Sequence, residues 1–136
     1  MPAEPVDVNI SITTTRGSVM AALVFTSNSR EPVYIDRING CLDGAIRNNV
    51  FTIESDGVPV PYTGIFAKRS RPGPEDVVTL QPGGSITTMV DLTKSYAFLP
   101  GTHTYAVYYS AFHQYPDRPG FIELRSKSVS WTFTGK

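Results

Sequence analysis

The chain has 136 residues, 40% of them hydrophobic and 18% charged, with twelve basic and twelve acidic side chains that cancel. That is enough apolar material for one domain with a core and too much for a disordered chain. Zero net charge excludes general nucleic-acid binding, which needs a basic surface to displace counterions. It also leaves self-association into a dimer open. Cys41 stands alone, so no intrachain disulfide can form.

In chain order the reading is almost entirely strand. Val6, Val8, Ile10 and Ile12 alternate with Asp7, Asn9 and Ser11, the period of a half-buried strand. Arg16-Gly17 is a turn, and Val19 to Thr26 a second strand with two sorted faces. Asn28 to Pro32 turns into a third strand, Val33 to Ile38. Asn39 to Gly44 breaks regular structure, and Ala45 to Asn48 is at most one helical turn. Val50 to Glu54 is a strand, Ser55-Asp56-Gly57 a tight turn, and Val58 to Tyr62 the returning strand. Pro59 and Pro61 mark that return as a sheet edge, because proline donates no ladder hydrogen bond.

Ile65 to Lys68 is short and apolar, ahead of the basic loop Arg69 to Pro74. Val77 to Leu80, Ser85 to Leu92 and Thr104 to Phe112 are further strands, separated by the turns at Gln81 to Gly84 and Leu99 to Thr102. His113 to Gly120 reads as an aromatic, proline-containing loop, and Phe121 to Leu124 and Val129 to Phe133 close the sheet. The whole predicts an all-β, antiparallel immunoglobulin-like sandwich of about eight or nine strands in a single domain, residues 1–136. Tyr105, just after the Gly101 turn, predicts a tyrosine corner whose hydroxyl bonds back to the upstream backbone.

Several segments, in order, carry a resemblance. They are Leu42-Asp43-Gly44, Val50-Phe51, and Gly57-Val58-Pro59-Val60-Pro61-Tyr62-Thr63-Gly64. Lys68-Arg69, Glu75-Asp76, Leu80-Gln81-Pro82-Gly83, Val90-Asp91-Leu92, Tyr96-Ala97-Phe98 and Pro100-Gly101 before Tyr105 follow. The stretch from about residue 6 to 112 resembles the N-terminal, pro-region-like β-sandwich of M35 deuterolysin-type zinc metallopeptidases. That resemblance implies a sandwich fold and a non-enzymatic interaction module, with a peptidase as protein partner and inhibition as one mode of action. The His-Glu-x-x-His helix of the peptidase is missing, so no peptidase activity is expected.

The residues offer few other chemistries. His103 and His113 are the only histidines, and no Cys/His spacing fits a zinc site, so no metal is expected. No catalytic residue is assigned. Cys41, in a glycine-flanked turn beside Asp43, is a candidate reactive thiol and in an inhibitory domain could ligate a peptidase's open zinc position. Tyr109, Phe112, His113, Tyr115, Phe121 and Trp131 are the candidate binding residues. They would serve either a protein partner or a small hydrophobic ligand such as an aromatic metabolite or pigment. No resident cofactor is expected beyond such a ligand. Lys68, Arg69 and Arg71 read as solvated charges of lesser importance. With no leader or membrane-length apolar run visible, a cytoplasmic location is the expectation, or secretion if a leader has been removed.

Overall fold

The first two strands set the pattern for the rest. β1 (Val6–Thr15) and β2 (Ser18–Ser27) form an antiparallel hairpin in unbroken register from Val6↔Ser27 to Thr15↔Ser18. The chain reverses through Arg16 and Gly17, and Gly17 takes the positive φ of 76° that only glycine adopts without penalty. Alternation sends Val6, Val8 and Ile10 inward from β1 and Val19, Ala21, Leu23 and Phe25 inward from β2. Leu23 and Phe25 are fully buried, each contributing about 1.5–3 kcal/mol relative to an exposed side chain. The structure, a computed structural model, describes residues 5–67, 73–117 and 119–135.

Strands β3 (Val33–Asp36), β4 (Phe51–Ser55), β5 (Val58–Pro59), β6 (Val77–Leu80) and β7 (Ser85–Asp91) follow. The last three are β8 (Gly101–Gln114), β9 (Phe121–Arg125) and β10 (Val129–Gly135). One sheet has the order β1-β2-β7; the other runs β10-β8-β4-β5, with β9 also on β8; β3 and β6 form a separate pair. All the strand pairings are antiparallel. This is the arrangement of an immunoglobulin-like sandwich, with inward residues of both faces in one core cluster. The helical content of the described residues is two short 3-10 turns, Pro74–Asp76 and Leu92–Lys94.

The described strands number ten rather than eight or nine, with the closing β9 and β10 split along β8. That split is a bulge. Val107 faces Val129 and Ser110 faces Arg125, so two residues of β8 oppose three on the other side.

Other boundaries move for local reasons. β3 stops at Asp36, not Ile38, because the Asp36 carboxylate accepts the backbone N–H groups of Ile38 (2.8 Å) and Asn39 (3.1 Å) and turns the chain. Ala45 to Asn48 forms no helical turn; Asp43 takes the Ala45 N–H and pairs with Arg47 instead. Ile65 to Ala67 is irregular. The basic residues Lys68, Arg69 and Arg71 lie outside the described residues. The Asp56-Gly57 turn matches its reading, with positive φ at both positions (52° and 78°), the geometry whose twist suits a two-residue hairpin.

The tyrosine corner is present. Tyr105 is 1% exposed and its hydroxyl oxygen accepts the Leu99 backbone N–H at 3.1 Å, tying β8 to the connection that precedes it. Phe98 packs edge-on to the same ring at 5.0 Å. A second tyrosine, Tyr96, accepts the Phe51 N–H (3.1 Å) and donates to Asn49 Oδ1 (2.8 Å), so the start of β4 is fixed by side-chain bonds from the connection between β7 and β8.

Candidate functional site

β8 carries the candidate site, and its pleat divides it. Phe112 and His113 sit within the strand, not in a loop, because β9 pairs with β8 from Ser110↔Arg125 to Gln114↔Phe121. Successive side chains therefore point to opposite faces. Tyr105, Val107, Tyr109, Ala111 and His113 face the core, while Tyr108, Ser110, Phe112 and Gln114 face outward. The six aromatic candidates consequently do not line one pocket.

On the inner side, Tyr109 and His113 are both fully buried. His113 Nδ1 accepts the Asp36 backbone N–H at 2.9 Å. A neutral ring must then carry its proton on Nε2. That proton goes to the Tyr109 hydroxyl oxygen at 2.8 Å, and the Tyr109 O–H in turn donates to the Asn39 carbonyl at 2.5 Å. Burial holds the Tyr109 hydroxyl in its neutral form by raising its pKa, and the neighbouring Cys41 adds to the effect. Phe25 and Phe51 pack edge-on to the Tyr109 ring at 5.6 and 5.8 Å. Tyr109 and His113 are thus core residues that lock β8 to the turn after β3, which corrects their assignment to a binding surface. Trp131 also faces inward, half-buried and stacked on Tyr105 at 5.5 Å. Its indole Nε1 is buried without a hydrogen-bond partner among the described residues.

On the outer side, Phe112 is 53% and Phe121 58% exposed, with their rings edge-to-face at 4.9 Å. They are diagonal neighbours across the β8–β9 ladder. Next along the same face, the Arg125 guanidinium lies 4.4 Å from the centre of the Tyr108 ring, a cation–π contact, and Glu123 stands between Phe121 and Arg125 on β9. Tyr115 is half-buried at the turn between these strands. Its N–H donates to the Gly120 carbonyl (3.1 Å), and Gly120, at φ 111°, lies against its ring. The Asn39 side-chain amide donates to the Phe112 carbonyl at 2.8 Å and steadies the strand beneath its exposed ring. Phe112 and Phe121 are therefore the candidates that reach solvent most fully.

Glu123 and Arg125 also border a cleft of about 510 Å³ whose other wall is Val6 to Asn9, with Ser126 and Lys127 at its end. A parallel bridge between Val8 and Ser126 forms its floor. No local signal reveals this cleft, since β1 and β9 are at opposite ends of the chain and meet only through sandwich closure.

Cys41 does not fit the part of a reactive thiol. It is fully buried in the core cluster, at φ 55°, with its carbonyl accepting the Thr88 hydroxyl at 2.6 Å. Burial first and the Asp43 carboxylate second push its pKa up to about 12, so the nucleophilic thiolate is suppressed at neutral pH. The same burial removes it as a ligand for another protein's zinc. Among the described residues no three of His, Cys, Asp and Glu come together as a metal-binding group. His103 Nε2 bonds the Pro100 carbonyl at 2.9 Å, within the corner itself. No described helix is long and apolar enough to cross a membrane.

Comparison with known proteins adds one partial relationship. No family model matches the chain. Over 78 residues, 57% of its length, it is 31% identical to a protein described as an extracellular protease from Aeromonas hydrophila. The match covers 22% of that protein, so what is shared is a region of a protease.

Proposed function

We propose that this chain is a non-enzymatic interaction module of the protease-associated kind, related to the N-terminal sandwich of M35 deuterolysin-type zinc metallopeptidases. Its partner is a protein, in first place a peptidase, and its contact surface is the outer face of β8 and β9. The observation that carries this reading is the Phe112–Phe121 pair, two aromatic rings held more than half exposed on a rigid ladder. Rings fixed by strand pairing lose little rotamer freedom on binding and bury a large area, which is how aromatic anchors dominate contact energies. Glu123, Arg125 and the adjoining polar cleft supply the rim such an anchor needs. The partial match to an extracellular protease supports the choice of partner.

The test is a titration of the chain against the purified catalytic domain of a deuterolysin-type metallopeptidase, followed by calorimetry and by the peptidase's own turnover. Binding that weakens at least tenfold in the Phe112→Ser, Phe121→Ser double variant is the expected result, and loss of turnover on binding would add inhibition. Absence of binding, or affinity indifferent to both substitutions, would remove the reading.

A further inference from the structure

Sheet edges invite pairing with other chains, and a protein normally blunts them with proline, charge, a bulge or a cover. Three of the edges here are treated in that way. β5 is two residues long and carries Pro59, with Pro61 beyond. β7 is covered by the segment around Cys41 and Gly44, through the Thr88–Cys41 bond and the approach of Gly44 to the Met89 carbonyl. The β9–β10 edge is broken by its bulge and bears Arg125 and Lys127.

β1 is the exception. It runs ten residues with no proline, no basic residue and no bulge, and its second half is Ser11-Ile12-Thr13-Thr14-Thr15. Ser11 and Thr13 to Thr15 are exposed and Ile12 is half-buried. Among the described residues β1 pairs beyond β2 only at the Val8–Ser126 bridge, with β9 and β10 lying close by.

The hairpin tells which backbone groups point outward. A two-residue loop closes on a hydrogen-bonded pair, here Thr15↔Ser18. Bonding to β2 then recurs at Thr13, Ser11, Asn9 and Asp7. The bond from the Asn28 N–H to the Pro5 carbonyl (2.8 Å) continues that series. The N–H and C=O groups of Ile10, Ile12 and Thr14 therefore face away from β2, on the side where Val8 meets Ser126.

We infer that β1 pairs antiparallel with β1 of a second copy of this chain about a two-fold axis at Ile12. In that register Ile12 opposes Ile12 and Ile10 opposes Thr14, so outward groups meet outward groups and these pairs are the hydrogen-bonded ones. Ser11 falls opposite Thr13, a hydroxyl pair, and the pairing spans Ile10 to Thr14, clear of the Val8–Ser126 bridge, with no charged residue in it. The half-buried Ile12 side chains meet at the axis. Because the pairing is isologous it consumes the free edge in both copies and closes at a dimer, not a fibre. This surface belongs to the β1-β2-β7 sheet and leaves Phe112 and Phe121 free.

Sedimentation equilibrium decides it. The parent chain should be a dimer at submillimolar concentration. Thr14→Pro should raise the dimer dissociation constant at least tenfold while leaving the unfolding midpoint of dilute protein in place, since this N–H has no partner among the described residues. Amide exchange of the parent gives an independent reading: Ile10, Ile12 and Thr14 should gain protection as concentration rises. A parent that stays monomeric overturns the inference, as does a dimer that ignores Thr14→Pro without that protection. A monomer that accepts a strand only from a different protein overturns it too.

Discussion

The two faces of β8 carry the same kind of side chain to opposite ends. Tyr109 and His113 point inward and spend their polar atoms on each other, on Asp36 and on Asn39. Phe112, one residue from His113, points outward and meets the ring of Phe121. The pleat alone makes this difference, since adjacent residues of a strand share a backbone environment but not a face. An aromatic-rich segment is therefore not a site in itself. The inner rings are parts of a core, and the outer rings are what a partner could touch.

Substitutions can break this comparison, beginning with the largest effect. Tyr109→Ala should destabilise the fold by about 3–5 kcal/mol, through loss of a fully buried ring and of the bonds that hold His113 and Asn39. Chemical denaturation measures it, and a loss below 1 kcal/mol would mean that the inner network is not a stabilising one.

The pH dependence comes next. Cys41 is a thiol in the folded chain up to about pH 12 but ionises near its ordinary 9 when unfolded. Between those values the unfolded state holds fewer protons than the native one, so stability is intact below pH 9 and falls as pH rises, by at most about 1.4 kcal/mol per unit from this group. Tyr109 and Tyr96, both raised by burial, add loss of the same sign at higher pH. Cys41→Ala should flatten the alkaline side of the stability curve relative to the parent, as read from denaturant midpoints between pH 8 and 10.5. Parallel curves would show that Cys41 does not titrate differently on unfolding.

Tyr105→Phe removes only a hydroxyl, the acceptor of the Leu99 N–H, and should cost about 1–3 kcal/mol. Coincident denaturation midpoints would deprive the corner of its energetic role. The smallest effect belongs to the outer face. Phe112→Ser should change stability by no more than about 0.5 kcal/mol, because the ring is more than half in solvent. A larger loss would turn Phe112 into a structural residue and sharpen the search toward Phe121 and Arg125.

Local pattern carried most of the architecture. Alternation in Val6 to Ile12 and in β2, the Asp56-Gly57 and Leu99-to-Thr102 turns, and Pro59 and Pro61 at an edge each act over a few residues. Such signals are readable without knowing what lies across the core. Tyr105 was legible for the same reason: its partner, Leu99, is six residues away.

What the sequence could not decide depended on distant partners. β8 continues through His113 only because β9 lies beside it, and Asp36 ends β3 by turning its own carboxylate onto the backbone. Cys41 looked accessible in a glycine-flanked turn, yet the core closes over it and raises its pKa. The cleft between Val6–Asn9 and Glu123–Lys127 joins the two ends of the chain. The sequence by itself determined where most of the strands lie, because pleat and turn chemistry are local. Only the tertiary structure decided which aromatics are core and which edge is left open, because burial is a property of the layer packed on top.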